Sequence, residues 1–469
     1  MFDLPNLGLH SRQAADGARF FGVMKKTTLV FAGFTLVFAG AGTGWASSLN
    51  EELVFLLTQH PRIKSAQRDA LGSQEGLRGA LAGYYPQLSI DTNYGEEYSD
   101  TPSRRLENAR PSRLWRDTRG ITLSQSIFDG FRREANVEGA RINRVLSGLA
   151  LETTRQGLSF EGARTYIDVL RYARLVELAF NNESTVQRQL NLEDERVQRG
   201  AGISVDVLQA KARLQTAKER RVQFEGQLRE AVARYIQLFG HEPSPGIMED
   251  PVLDGGMLPK TKDEAIKRAL TDSPQIAFSG RQVDFQETRR DAAAADYFPR
   301  IDIIARGAKE DNIDGVVGER TQWSVLVQGR WQIFNGFQTQ AAVAEASYRA
   351  ASSRDNMLAV TREVSQEVET SWNELRTANE RVGLLENAVA LAAEVFDSRR
   401  RLRDTGRETA LNVLDAENEL YNARINLVSA TFDARRASYR LLQSIGDLTP
   451  KALGFTLGAG GEDKQPDAK

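Results

Sequence analysis

Tyr84-Tyr85-Pro86-Gln87-Leu88-Ser89-Ile90 is followed later in the chain by Tyr297-Phe298-Pro299-Arg300-Ile301-Asp302-Ile303, at an offset of 213 (299 − 86). Further on, Ile127-Phe128-Asp129-Gly130-Phe131 returns as Ile333-Phe334-Asn335-Gly336-Phe337, at an offset of 206 (336 − 130). A period of this length is far longer than the repeat of a solenoid. The sequence therefore predicts a duplicated half-protein in which each half is one structural unit.

The duplication sets the predicted organisation of all 469 residues. The segments are a signal peptide over 1–46, a first repeat over 47–240, a linker over 241–261, a second repeat over 262–446 and a disordered tail over 447–469. The linker is rich in proline and glycine, which is typical of a connection between units. We expect one structure built from two similar halves.

The composition excludes several classes of protein. With 41% hydrophobic and 26% charged residues the chain is not disordered, and a net charge of −2 argues against a nucleic-acid partner. The absence of cysteine excludes disulfides, thiolate metal sites and a lipidated N-terminal cysteine. The histidines His10, His60 and His241 are isolated from one another, and the carboxylates lie beside arginine or lysine. We therefore expect no enzyme, no metal and no cofactor.

The N-terminal region has the layout of a secretory signal. Met24-Lys25-Lys26 is basic, 27–39 is apolar, and small residues at Gly44 and Ala46 precede a cleavage site after Ala46. The signal begins so late that we take Met24 as the true start. A membrane anchor is the alternative, but it needs a longer apolar run. The pattern predicts export.

Each half alternates helical and extended patterns. Predicted helices cover 49–58, 62–84, 131–199, 204–240, 262–297, 337–404 and 409–445; predicted strands cover 86–98, 119–129, 299–310 and 320–333; an exposed loop covers 99–118. Apolar residues in the long helices recur at steps of three and four, which is coiled-coil spacing. A helix of roughly 70 residues is about 105 Å long. Such helices predict an elongated assembly of neighbouring helices.

The strands alternate between apolar and polar residues, as in Trp323 to Ile333. This pattern fits either a sheet packed on a helix or a barrel strand with an apolar exterior. The signal peptide and the long helices favour the barrel, with an aromatic girdle of Tyr84, Tyr85, Tyr297, Trp323 and Trp331. Four strands cannot enclose a lumen, and an open edge cannot face lipid. The chain must then oligomerise.

Four motifs resemble the TolC family of outer-membrane efflux and secretion ducts. They are Tyr85-Pro86-Gln87-Leu88, Gln125-Ser126-Ile127-Phe128-Asp129-Gly130, Asn412-Val413-Leu414-Asp415-Ala416 and Leu420-Tyr421-Asn422-Ala423. The resemblance covers about 48–446. It implies a mainly α fold with a membrane β-barrel: a homotrimer with a shared twelve-stranded barrel in the outer membrane, continued by a long α-helical barrel in the periplasm. The short helices and the linker would form a belt around its middle.

The resemblance also implies functional residues at the periplasmic tips. Adaptor-docking tips would comprise Gly200, Gly202, Ser204, Gly406 and Thr409, and the entrance and gate would comprise Asp415, Asn412, Asp206, Arg403 and Arg407. Copies of Asp415 would form an acidic ring that attracts cations. The second ring position is Asn412 rather than an acid, so the ring should be weaker.

The gate departs from the family pattern at one position. In the family, a basic residue usually tethers the residue at the position of Asp206. In this chain Glu408 occupies the position of that basic residue. Arg403 or Arg407 would replace it, or the closed state is held differently. The alternative for Asp206 and Asp415 is a solvated helix face or a helix N-terminal charge.

Together these observations predict a passive export channel. Its partners would be a periplasmic membrane-fusion adaptor, an inner-membrane ABC or RND transporter and outer-membrane lipid. The tip motif and the absent lipid-anchor cysteine resemble the type I secretion branch, which we prefer over multidrug efflux. A non-conducting periplasmic coiled-coil scaffold is the alternative from another class.

Overall fold

The structure is a computed structural model that describes residues 48–106, 110–200, 203–253 and 255–455. Its helices are α1 (Leu49–Gln59), α2 (Pro61–Leu81), α3 (Pro102–Leu106), α4 (Arg132–Gln198), α5 (Ser204–Phe239), α6 (Lys262–Asp272), α7 (Pro274–Ala294), α8 (Gln338–Asp404) and α9 (Ala410–Ile445). Its strands are β1 (Gln87–Ser99), β2 (Ser112–Phe128), β3 (Arg300–Asp311) and β4 (Glu319–Arg330). Among the described helices, none combines the length and the apolar character needed to cross a membrane. The predicted signal peptide lies outside the described residues.

The two halves repeat the same plan. α4 and α8 both have 67 residues, and α5 and α9 both have 36. In the first half Gln87 pairs with Ser124, and in the second half Arg300 pairs with Arg330. These pairs are equivalent under the two sequence offsets. The duplication therefore extends to the register of the strands.

A single helix predicted over 262–297 is wrong, because the chain breaks at Ser273. The ψ angle of Ser273 is 119°, which is extended rather than helical. Pro274 imposes this change, since a proline disfavours the helical conformation of the residue before it and starts a new helix well. A short 3₁₀ turn, Ala295–Tyr297, then follows α7.

The loop predicted over 99–118 is wrong at 99 and over 112–118, because β1 extends to Ser99 and β2 already begins at Ser112. Ser112 pairs with Ser99 of β1, and the rings of Tyr94 and Trp115 stack at 5.4 Å. Two arginines of this polar stretch pair across the strands, Arg113 with Glu96 at 3.7 Å and Arg116 with Glu97 at 3.0 Å. Cross-strand pairs of this kind stabilise a strand that is polar along its sequence.

The main core lies where α1 crosses α4. Leu53 and Leu56 are fully buried, and a Cβ atom on Gly162 would lie 2.8 Å from Leu56 Cδ2. The same core includes Leu448 and Leu453 from the region beyond α9. The predicted disordered tail is therefore wrong for 447–455, since these two leucines bury apolar surface. Residues 456–469 lie outside the described residues.

The sheet has the order β1-β2-β3-β4, with every pair antiparallel. Within the described chain, β1 and β4 are the edge strands. Side chains on one face are apolar and exposed, including Tyr94 and Val327, which are both 73% exposed. A sheet with a solvent-exposed apolar face and two open edges is incomplete as an isolated unit.

Candidate functional site at the helical tips

Two antiparallel helix pairs end in short turns. α4 and α5 meet after Gly200, and α8 and α9 meet after Gly406; both glycines have left-handed φ angles, of 75° and 74°. The two turns differ in how they start the next helix. The Thr409 side chain caps α9 by accepting a hydrogen bond from the Asn412 N–H at 3.3 Å, whereas Ile203 supplies no side-chain cap to α5. Gly202, a predicted tip residue, lies outside the described residues, and Ser204 is the first, exposed residue of α5.

Asn412 and Glu408 form a local network within the second turn. The Glu408 carboxylate accepts hydrogen bonds from the Asn412 side-chain amide at 2.5 Å and from the Thr409 N–H at 3.0 Å. These bonds, that from Asn412 first, lower the pKa of Glu408 below its usual value because they favour the charged form. Glu408 therefore helps to hold the α8–α9 turn.

Arg403 joins the two helix pairs near their tips. Its Nη2 donates to Glu193 Oε1 of α4 at 2.6 Å, and its Nη1 donates to the Glu408 carbonyl at 3.3 Å. The Arg403 side chain is 20% exposed and that of Glu193 only 9%, so the pair is largely removed from water. Glu193 also pairs with Arg196 at 3.2 Å. The intrachain partner of Arg403 is thus Glu193 rather than Asp206.

The other two predicted gate residues make no ion pair in the described part of the chain. Asp206 lies in the first turn of α5, where a carboxylate is stabilised by the positive end of the helix dipole. Arg407 is exposed beside Gly406. Their predicted role in gating stays a prediction.

Asp415 projects from α9 with 58% of its side chain exposed. Arg213 of α5 donates to Asp415 Oδ1 at 2.6 Å. This pairing compensates part of the negative charge, so that any ring built from Asp415 attracts cations less strongly than an unpaired carboxylate would. The sequence could not reveal this contact, because Arg213 and Asp415 lie in different repeats.

Glu417 is a buried acid that the sequence reasoning missed. It is 7% exposed on α9, and burial raises its pKa from 4.5 to about 7, against a hydrogen bond from Gln189 and the charges of Arg188 and Arg213. Its Oε2 atom has no hydrogen-bond partner in the described structure. One signal was available, since Glu417 lies between Val413 and Leu420 at the spacing of the apolar face.

Replacing Glu417 by glutamine is expected to stabilise the protein at alkaline pH. Because the folded-state pKa is raised, the contribution of Glu417 is fully present below about pH 4.5 and is lost as the pH rises through about 7. The difference between E417Q and the wild type should grow to on the order of 3 kcal/mol by pH 8. Thermal unfolding followed by circular dichroism between pH 5 and 8 measures it. E419Q, at an exposed position on the same helix, is the control; parallel pH profiles for E417Q and the wild type would contradict the assignment.

The predicted aromatic girdle occupies both ends of the sheet. Tyr84, Tyr85, Tyr297 and Trp331 lie at the end where β1 starts and β4 stops, and Trp323 lies nearer the other end. All five are exposed. From Trp323 to Trp331 the backbone advances about 27 Å at about 3.4 Å per residue, comparable with the apolar band of about 25 Å in membrane barrels. Tyr98 and Trp115 add aromatic rings at the end of Trp323, which the sequence reasoning missed.

The described residues contain no group of three or more histidine, cysteine, aspartate or glutamate side chains that could hold a metal ion. The tips carry ion pairs, a helix cap and one buried acid. These side chains can hold the two helix pairs together and can present charge at the ends of the helices.

Comparison with known proteins identifies the fold. The sequence profile of the outer membrane efflux protein family matches residues 55–241 and 265–447, which correspond to the two repeats. The outer membrane efflux protein BepC of Brucella suis is 26% identical, with 93% of this chain and 94% of BepC covered. The alkaline protease secretion protein AprF of Pseudomonas aeruginosa is 24% identical, with 82% of this chain and 81% of AprF covered.

A solved structure supports the same conclusion. The CmeC outer membrane channel of Campylobacter jejuni superimposes with a TM-score of 0.73 at 14% identity, covering 88% of this chain and 87% of CmeC. The predicted family, fold class and outer-membrane location are confirmed. The chain belongs to the outer membrane efflux protein family, with the mainly α fold of its outer-membrane channels, in which long helices continue a membrane β-sheet.

Proposed function

We propose that three copies of this chain form one export duct through the outer membrane and the periplasm. The observation that carries the proposal is that one chain joins an open-edged, apolar-faced sheet to two long helix pairs. The unpaired N–H and C=O groups of an edge strand cannot face lipid. Four strands are too few for a lumen, since membrane barrels start at about eight, whereas three copies supply twelve.

The helices serve as the periplasmic part of the duct. α4 and α8, with 67 residues each, are about 100 Å long at about 1.5 Å per residue. Their ends, at Gly200 and Gly406, are the docking tips for a periplasmic membrane-fusion adaptor. The entrance lies among Asp415, Asn412 and Asp206, and an inner-membrane transporter supplies the energy.

Within this class, type I protein secretion with an ABC transporter is the proposed task. The similarity to AprF, a protease secretion protein, supports it, together with the tip sequence around Asn412 and Asp415. The second candidate is multidrug efflux with an RND-type transporter. It is favoured by the similarity to BepC, an outer membrane efflux protein.

A deletion strain separates these two tasks. Loss of large secreted proteins from the medium, with unchanged susceptibility to drugs and detergents, is expected for type I secretion. Normal secretion together with drug sensitivity would transfer the assignment to efflux. Complementation by the intact gene is the control in both assays.

Conductance of the purified protein in planar bilayers tests the channel itself. Discrete single-channel steps are expected once the protein has inserted. A protein that inserts but never conducts, with or without its partners, would favour a periplasmic coiled-coil scaffold.

A further inference from the structure

A groove of about 780 Å³ runs along one face of α9, between α4 and α8. Four arginines and two carboxylates line it, which leaves an excess of two positive charges. These six residues are Arg164 of α4, Glu374 and Arg381 of α8, and Asp433, Arg436 and Arg440 of α9. Thr370, Asn373 and Thr377 of α8 add neutral hydrogen-bonding groups. We call this feature the arginine groove.

The arginine groove lies on the side of the helices that is opposite to α1 and the linker. On α4, the side chains of α1 pack against Gly162, and Arg164 is two residues, or about 200°, further round the helix. On α9, Arg435 pairs with Asp250 of the linker, whereas the next residue, Arg436, lines the groove. The groove therefore faces away from α1 and the linker.

In the proposed trimer, this side of the helices is the inner wall of the duct. The short helices and the linker form the belt on the outside, so the opposite side faces the interior. Asp415, at the proposed entrance, is eighteen residues (433 − 415) or about five helical turns from Asp433, and so lies on the same side of α9. The groove is then about 27 Å further into the duct, at about 1.5 Å per residue.

Arg164 and Arg381 face the groove from its two flanking helices and have hydrogen-bond donors to spare. Arg164 Nε is 3.9 Å from Asp168 and Arg381 Nη1 is 4.0 Å from Asp433, and both distances exceed that of a hydrogen bond. Within the described ranges neither guanidinium makes a hydrogen bond, and the two side chains are 61% and 53% exposed. A guanidinium presents five N–H donors in a geometry that suits carboxylates.

The carboxylates of the groove are already engaged by other arginines. Asp433 Oδ1 accepts hydrogen bonds from Arg171 Nη1 at 3.1 Å and from Arg436 Nη2 at 3.0 Å. Glu374 pairs with Arg440 at 3.3 Å. The charges of the two guanidinium groups with spare donors are therefore left largely uncompensated.

The duplication does not account for these arginines. At the offset of 206 (370 − 164), the other repeat has a different residue in each case: Arg164 corresponds to Thr370, Arg381 to Leu175 and Arg436 to Glu230. One of these equivalents is neutral and polar, one is apolar and one has the opposite charge. The positive charge is thus particular to this groove and is not a pattern that the two repeats share.

We propose that the arginine groove binds acidic segments of polypeptide cargo inside the duct. Arg164 and Arg381 hold carboxylates of one segment, while Thr370, Asn373 and Thr377 hydrogen-bond to its backbone. From Thr370 to Arg381 the wall of α8 is about 16 Å long, which accommodates about five residues of extended chain. The inference rests on the proposed export duct and specifies the chemistry that its inner wall recognises.

The trimer multiplies the charge of the groove. Three copies bring an excess of six positive charges to one height of the duct, twice that number of arginines included. Because the two clamping side chains are more than half exposed, salt screens them and each contact is weak. Weak binding at several equivalent sites suits transport, since a cargo that is held must also be able to leave.

Titration calorimetry of the detergent-solubilised protein with the peptide hexaglutamate measures this binding without any need for conduction. The test variant is Arg164→Gln with Arg381→Gln. The matched control is Arg62→Gln with Lys262→Gln, which removes two positive charges of similar exposure from the belt side, where they pair with carboxylates of α4 and α8. Hexaglutamine is the neutral control peptide, and inorganic tripolyphosphate is the phosphate probe.

The expected result is saturable binding of hexaglutamate to the wild type and to the control variant, and binding about tenfold weaker or more in the test variant, because two charge-assisted donors are lost. Each single variant, Arg164→Gln or Arg381→Gln, should lose part of the affinity with an unchanged circular dichroism spectrum. Higher salt should weaken the binding further, and hexaglutamine should not bind.

The outcomes separate the groove from the duct. Equal affinities of wild type and test variant, or equal losses in the test and control variants, would overturn the groove as the binding site. Binding of tripolyphosphate without binding of hexaglutamate would overturn the assignment to polypeptide carboxylates. A protein that conducts in planar bilayers but binds no hexaglutamate keeps the proposed function and loses the anion site. A protein that binds hexaglutamate at the groove but never conducts keeps the anion site and loses the duct.

Discussion

Arg403→Ala is expected to increase the open probability of the channel about thirtyfold. The Arg403 guanidinium at the end of α8 forms an ion pair with Glu193 of α4, and both side chains are largely removed from water. Breaking a buried ion pair costs about 3 kcal/mol or more, and Arg196 retains part of the stabilisation of Glu193. If the closed state loses about 2 kcal/mol of stability relative to the open state, the ratio of open to closed channels rises about thirtyfold.

Single-channel recording measures this effect as the fraction of time spent at high conductance. Arg400→Ala, which removes the same charge from an exposed position on α8, is the matched control. Glu193→Gln should reproduce the effect, and the double variant should add little to either single variant because both act on one pair. Equal open times for wild type, Arg403→Ala and Glu193→Gln would exclude this pair from the gate.

Gly446→Ala is expected to destabilise the fold by about 2–5 kcal/mol. Gly446 ends α9 with a φ angle of 94°, where an L-residue costs roughly 1–2 kcal/mol. A Cβ atom there would also lie 2.9 Å from the Asp272 carbonyl oxygen and 3.1 Å from Pro274 Cδ. Crowding in a packed site costs typically 1–3 kcal/mol. The Gly446 carbonyl moreover accepts a buried hydrogen bond from Gln156 at 2.7 Å, so this turn cannot relax freely.

The duplication supplies the control for this prediction. Gly240 occupies the equivalent position after α5 with a φ angle of 82°, but no atom lies within 4 Å of its Cβ position. Gly240→Ala should therefore lose only about 1–2 kcal/mol, from the backbone alone. Thermal unfolding midpoints of the two variants in detergent compare the costs. If Gly446→Ala were no less stable than Gly240→Ala, the close approach of Gly446 to the Ser273-Pro274 break would add nothing to the cost of the substitution.

Most helices and three of the four strands could be predicted closely from the sequence, because their signals are local. Pro86 and Pro299 precede strands, and the glycines at 200 and 406 end long helices within a residue or two of the predicted positions. Two signals were misread although they were local. Pro274 breaks the helix predicted over 262–297. The start of β2 is charged and was predicted as a loop, although Arg113 and Arg116 pair there with glutamates on β1.

The candidate site was less predictable because its contacts cross between the repeats. The partner of Arg403 is Glu193 and the partner of Asp415 is Arg213, each about 200 positions away along the chain. No local pattern encodes which residues of two helices face each other at the same height. Nor does the composition show that Glu417 is buried, because its environment comes from Gln189 and Arg188 on another helix.

The sequence by itself determined the duplication, the long paired helices and the alternating strands. These follow from periodicity and from turn residues, which are properties of a linear pattern. Only the tertiary structure decided which charges at the tips are compensated, which acid is buried and where each edge strand lies. These depend on the packing of helices and strands that are distant in the chain, since an ion pair or a strand register is set by separation in space.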